Sequence, residues 1–234
     1  MQWILLTALF VGCPDANVET PASDPVASQM TAEEATDHLK PALQTGTLIF
    51  SQGDCLAIRA YTLSPYTHVG AVVLRHGEPM IYDAQGGVGV RCLSLDRYMA
   101  IQGTARLCIL QPNEDFSAER AEQFERHLNK ELGRPYSVKQ HVTGSRVAGV
   151  HCAEYMTEAL MSCHMVNAKN PARVSPASLR EGLLEGELYT ADAVVQLELP
   201  KAPPAASWCS RWWQCTKDCS WFCCRKMRGW VFCQ

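Results

Sequence analysis

Apolar and polar positions divide the chain into short segments with recognisable periods. Thr31-Ala32-Glu33-Glu34 has the form of a capping box and predicts a short helix that stops near Pro41. Thr47-Leu48-Ile49-Phe50 reads as a short buried strand, and Val69 to Leu74 as a stronger one rich in β-branched residues. Arg75-His76-Gly77-Glu78 is a hairpin turn. Met80 to Ala84 returns as its partner strand, closed by Gly86-Gly87. Leu107 to Leu110 is a further strand. Residues 117–132 predict a helix with Phe124, Leu128 and Leu132 on one face, ended by Gly133 and Pro135. A second helix runs from about Cys152 to Cys163, with Tyr155, Met156, Ala159 and Leu160 as its apolar stripe. Residues 187–199 alternate and end at Pro200, as a last strand would. This order predicts an α+β fold with a mostly antiparallel sheet and no internal repeat.

The chain of 234 residues is 47% hydrophobic and 19% charged, enough to bury the core of one domain with tails to spare. The formal charge of −3 shows no basic excess of the nucleic-acid-binding kind, so no nucleic acid partner is expected. The twelve cysteines are unevenly spread. Cys13 stands alone, Cys55, Cys92, Cys108, Cys152 and Cys163 are scattered, and six crowd the end. The scattered ones suit small buried hydrophobes; the crowd suits a disulfide or metal cluster.

Trp3 to Val11 is an apolar run too short to span a bilayer but of signal-peptide length. It ends in Phe10-Val11-Gly12-Cys13, which resembles a bacterial lipobox. The expected organisation is a signal peptide over 1–12, a lipidated Cys13 with a flexible tether over 13–30, a folded domain over 31–200, and a Pro linker with a Cys/Trp-rich basic tail over 201–234. The tether is rich in Pro, Ser, Ala and acids, with little to bury. Acyl chains such as palmitate on Cys13 would hold the domain at a membrane surface, which predicts a bacterial envelope lipoprotein facing the periplasm or the exterior.

Six segments carry the chemistry: Leu43 to Phe50, Ser64-Pro65-Tyr66-Thr67-His68-Val69-Gly70, Ile81-Tyr82-Asp83-Ala84, Leu132-Gly133-Arg134-Pro135-Tyr136, His151-Cys152-Ala153-Glu154, and Val174 to Leu179. In this order they resemble the permuted NlpC-type papain-like cysteine hydrolases, the YiiX/YaeF-like branch, over roughly residues 41–185. The resemblance implies a circularly permuted papain-like fold whose antiparallel sheet packs on the helix carrying the nucleophilic Cys. It makes Cys152 the nucleophile, His68 the base and Asp83 the residue that orients the imidazole. Tyr66 and Glu154 are the cleft candidates. Ser137 stands where the family often has an acid, a departure outside the triad that bears on substrate class.

Elementary chemistry agrees with these roles. The thiolate is the reactive form of a cysteine, and both a helix N-terminus and an imidazolium favour it. The Cys152 backbone N–H can donate to an oxyanion, and a carboxylate on the far imidazole nitrogen fixes its tautomer. Asp83 can equally be read as a surface strand residue, and His151 beside Cys152 as half of a metal pair. Adjacent residues on a helix point apart, however, and no second ligand pair stands at zinc spacing nearby, so no metal is expected at this site, and no cofactor.

The tail from Trp208 holds Cys209, Cys215, Cys219, Cys223, Cys224 and Cys233, five tryptophans, and five Lys or Arg against one Asp. It reads as a disulfide-stapled cap, an interfacial anchor or a metal site. The expected function is an envelope thiol hydrolase of peptidase or amidase type, acting on a small peptide, cell-wall or lipid-conjugate amide through a thioester. A thiol acyltransferase on the same site and a non-catalytic surface-tethered binding module are the alternatives.

Overall fold

The computed structural model describes residues 26–52, 64–139, 141 and 148–199. The signal segment, Cys13, most of the tether, Cys55 and the Cys/Trp-rich tail lie outside the described residues.

Among the described residues the architecture is α+β: a mixed seven-stranded sheet between two layers of helices. The strands are β1 (Ser28–Thr31), β2 (Leu48–Ser51), β3 (His68–Arg75), β4 (Glu78–Gln85), β5 (Gly89–Ser94), β6 (Arg106–Pro112) and β7 (Tyr189–Glu198). The helices are α1 (Ala32–Leu39), α2 (Leu95–Gln102), α3 (Ala118–Lys130), α4 (Cys152–Ser162) and α5 (Pro176–Glu185). The sheet order is β1-β7-β6-β2-β3-β4-β5. β1 runs parallel to β7, and every other neighbouring pair is antiparallel.

Alternation along the strands builds two cores. Leu48 and Phe50 of β2 and Val69, Ala71 and Val73 of β3 face α3, α4 and α5, meeting Phe124, Leu128, Tyr155 and Leu160. Ile49, Val72, Ile81 and Ile109 face the opposite way, onto Leu39 of α1 and Leu95, Tyr98 and Met99 of α2. The central strands are therefore buried on both faces and read as nearly continuous apolar runs.

Local chemistry accounts for most boundaries. Thr31 caps α1 through the expected box, its hydroxyl accepting from the Glu34 N–H while Glu34 Oε2 accepts from the Thr31 N–H. The β3–β4 turn places His76 at φ 52° and Gly77 at φ 82°, the left-handed pair of a tight hairpin. Ser117 caps α3, and Ser175 caps α5 with Pro176 at its first position.

Several elements differ from the sequence expectation. Ser28–Thr31 form an edge strand, so the tether does not extend to residue 30: this backbone pairs with Val195–Glu198 although its side chains bury little. Helix α3 stops at Lys130, leaving Leu132 in the following turn and 43% exposed, so it does not join Phe124 and Leu128 in the core. β5, α2 and α5 are additional. After Gly86-Gly87 the chain does not leave the sheet but turns back along β4.

β5 is held on its outer side by the segment after α3: the Val90 N–H donates to Arg134 O and the Gly133 N–H to Val90 O, both at 2.9 Å. Gly89 makes that approach possible. It lies at φ +92°, and a Cβ there would stand 2.6 Å from Arg134 O. Gly89→Ala is therefore expected to destabilise the protein by about 1–3 kcal/mol, read as a lowered urea midpoint with an unchanged slope.

Candidate active site

The strand register brings the first site residues together. Gly70 on β3 faces Asp83 on β4, and Asp83 faces Arg91 on β5. His68, two residues before Gly70, is on the same side of β3, diagonal to Asp83, within reach of a long side chain. Gly70 puts no side chain between them. The result is a short chain of contacts across three strands. His68 Nε2 lies 3.0 Å from Asp83 Oδ2. Arg91 clamps the same carboxylate with two donors, Nε to Oδ1 at 2.7 Å and an Nη to Oδ2 at 3.0 Å. Asp83 has no solvent exposure, so the surface-strand alternative does not hold.

The fourth residue arrives from the other layer. Helix α4 packs on β3 and β4, and Cys152 is its first residue. Its sulfur lies 4.0 Å from the Thr67 carbonyl, next to His68. The Tyr136–Val150 bridge fixes the approach to the helix: the Ser137 N–H donates to Val150 O and the Val150 N–H to Pro135 O. With Nε2 of His68 engaged by Asp83, Nδ1 is the ring nitrogen left to face the Cys152 thiol.

The electrostatics follow from burial and pairing. Burial alone would push the Cys152 thiol up; hydrogen bonds from His151 and His68 and the positive charge of both rings outweigh it and bring the thiol down to about 6. Burial alone would push His68 down; the hydrogen bonds to Asp83 and to the Cys152 thiolate, with their negative charges, raise it to about 10. Asp83 is penalised by burial, yet its bonds from His68 and Arg91 hold it below the usual carboxylate range. Thiolate and imidazolium thus coexist near neutrality.

The cleft candidates are placed differently. The Tyr66 ring is 2% exposed, packed edge-on against Phe50 with the Arg180 guanidinium of α5 over its face at 5.1 Å. It supports the wall behind the site rather than presenting an open surface. Glu154 is also buried, on the first turn of α4 beside His151, with Oε2 3.8 Å from His151 Nε2.

Two residues at the site escaped sequence reasoning. Arg91 was hidden by the missed hairpin; had Gly86 to Gly89 been read as a turn, the return strand would have set Arg91 opposite Asp83. Helical spacing would point His151 away from Cys152, but His151 is the cap of α4, with extended backbone at φ −101° and ψ 166°. Tyr98 adds a third feature: its hydroxyl is buried without a hydrogen-bond partner among the described residues, on the Gly70 side of the sheet. A cavity of about 350 Å³ lies instead between α1 and α2, lined by Thr31, Glu33, Thr36 and Asp96, on the sheet face opposite α4. Among the described residues no group of three or more His, Cys, Asp or Glu side chains forms a metal-holding cluster, and no helix is long and apolar enough to cross a membrane.

No family model and no curated protein matches this chain. Among solved structures it is similar to the metalloprotein yiiX of Escherichia coli O157:H7, DUF1105, at 20% identity and a TM-score of 0.44, over 66% of this chain and 88% of that one. A likeness at that level defines neither fold nor function.

The clamp on Asp83 has a direct consequence. Arg91→Gln removes one cation from a carboxylate that has no access to water and is expected to cost about 3 kcal/mol in urea unfolding. Because folded Asp83 binds its proton less tightly than unfolded Asp83, its stabilisation is complete above the unfolded carboxylate value of ~4 and fades as pH falls below it. Asp83→Asn should therefore flatten the acid limb of the stability curve, measured as urea midpoints on the acid side.

Proposed function

We propose that the protein is a thiol-dependent amide hydrolase with a permuted papain-like arrangement, Cys152 being the nucleophile, His68 the base and Asp83 the residue that orients His68. The observation that carries this reading is the line of contacts from Arg91 through Asp83 to His68, beside a sulfur that sits at a helix N-terminus against the Thr67 carbonyl. Such a line fixes the ring tautomer, supplies an acceptor for the thiol proton and leaves a charged sulfur beside free backbone N–H groups.

In the proposed reaction the Cys152 thiolate adds to an amide carbonyl carbon. Negative charge moves to the carbonyl oxygen, where the Cys152 N–H at the start of α4 donates to it. The His68 imidazolium gives its Nδ1 proton to the amine as the C–N bond breaks, leaving a thioester. Neutral His68 then takes a proton from water; the hydroxide adds to the thioester, and the C–S bond breaks to release acid and thiolate. Asp83 keeps Nε2–H in place throughout, and Arg91 keeps Asp83 ionised.

The substrate in this reading is a small peptide, a cell-wall fragment or a lipid-conjugated amino acid. It is met at a bacterial membrane surface if Cys13 carries lipid. The Trp-rich tail would then be a second membrane contact.

Reactivity of the thiol tests the assignment. Alkylation of Cys152, followed site by site with peptide mass spectrometry, should rise through a midpoint near 6. Cys92, whose thiol burial pushes up, serves as the internal control and should titrate above its ordinary value. Turnover of an amide substrate should be confined between the thiol value and the His68 value, about 6 and about 10. Cys152→Ala should abolish turnover, and His68→Ala should lower it by about 10²–10⁴-fold while raising the alkylation midpoint. A wild-type Cys152 midpoint as high as that of Cys92 overturns the proposal.

A further inference from the structure

The residue immediately before Cys152 carries a second imidazole that the reaction above does not use. His151 is the cap of α4, so its backbone is extended and its side chain does not follow helical spacing. The ring is buried, at 4% exposure. Nε2 lies 3.0 Å from Ala172 O, and Nδ1 lies 3.4 Å from the Glu154 backbone nitrogen. A carbonyl only accepts and a backbone N–H only donates, so the resting ring carries its hydrogen on Nε2 and offers Nδ1 as an acceptor. Any further proton must go to Nδ1. The Glu154 carboxyl group supplies a second, independent observation. It is 2% exposed, its Oε2 has no hydrogen-bond partner among the described residues, and that oxygen lies 3.8 Å from His151 Nε2. A buried carboxylate oxygen left in this state is costly unless a cation forms beside it.

We propose that His151 and Glu154 form a second imidazole–carboxylate pair serving Cys152, so that the thiol proton has two acceptors, Nδ1 of His68 and Nδ1 of His151. The inference rests on the reading of Cys152 as the nucleophile. In the transfer the Sγ–H bond breaks and an Nδ1–H bond forms on His151. The Glu154 N–H gives up that acceptor, and the new imidazolium stands between the thiolate and the Glu154 carboxylate. During thioester hydrolysis His68 is occupied with the proton of the attacking water. His151 stays neutral in that step, because the one thiol proton has already left with the amine; its part is confined to the resting thiol, where it shares that proton with His68.

The surrounding charges favour this state. Burial alone would keep His151 neutral, but the hydrogen bond and charge of the Cys152 thiolate, the Ala172 carbonyl and Glu154 raise its proton affinity. Glu158 on α4 acts in the same direction. His141 opposes it, its ring 5.0 Å from that of His151 and its Nδ1 3.1 Å from the same Ala172 oxygen. Burial and the charges of His151 and Arg173 lower His141, which weakens its opposition.

The test is the pH profile of Cys152 alkylation by iodoacetamide in the full chain, resolved by peptide mass spectrometry. His151→Asn retains a good helix cap but cannot take a proton, and Glu154→Gln retains the shape but removes the counter-charge. Each should move the Cys152 midpoint up by about one pH unit. His68→Ala combined with His151→Asn should move it further than either alone. Midpoints of His151→Asn and Glu154→Gln that coincide with wild type overturn the inference and leave His151 as a cap only. If His151→Asn fails to fold by circular dichroism, Glu154→Gln decides alone. A wild-type midpoint at the ordinary thiol value overturns the nucleophile assignment itself; a low wild-type midpoint unmoved by either variant overturns only the second pair.

Discussion

A carboxylate with no access to water lies at the centre of this protein, and two cations hold it there. Asp83 would be strongly destabilising alone, since a buried charge costs several kcal/mol unless it is paired. Its pairing with Arg91 and His68 needs three strands in one register, because each partner comes from a different strand. The order β3-β4-β5 is thus both a structural and a chemical requirement. A slip of one residue in either ladder would move Asp83 to the face of α3 and α4 and strand it among apolar side chains.

The thiol depends on the same pairing at one remove. Cys152, at the start of α4, is buried in the core that α3, α4 and α5 share with the sheet, where an isolated thiol would be pushed up and made inert. It is brought down because His68 is held charged by Asp83, and because the cap of α4 is itself a histidine. The helix N-terminus contributes free N–H groups and partial positive charge in the same place. Charge therefore alternates from Arg91 to Asp83, His68 and Cys152, each group stabilising the next. The sheet supplies the first three and the helix layer the fourth.

Periodicity and turn chemistry made α1, β2, β3, β4, β6, α3, α4 and β7 legible in the sequence, because each buries one face or is bounded by Gly, Pro or a capping side chain. His68, Asp83 and Cys152 were legible as candidates from the order of motifs. The contacts among them, the burial of Asp83 and the outward turn of Leu132 were not, since they depend on packing between segments far apart in the chain. The edge strand β1 was illegible for a different reason: its backbone hydrogen bonds to β7 hold it, and its side chains carry no apolar pattern.

By itself the sequence determined an α+β chain with a thiol at a helix start, a histidine at a strand start and an acid on the next strand. Local propensity and capping are written in neighbouring residues, so they can be read without the fold. Only the tertiary structure decided that Arg91 clamps Asp83, that the His151 ring sits between the Ala172 carbonyl and the first turn of α4, and that Tyr66 is a buried support. Those outcomes arise where strand register, an extended cap residue and close packing from two layers meet, and no single stretch of sequence records that meeting.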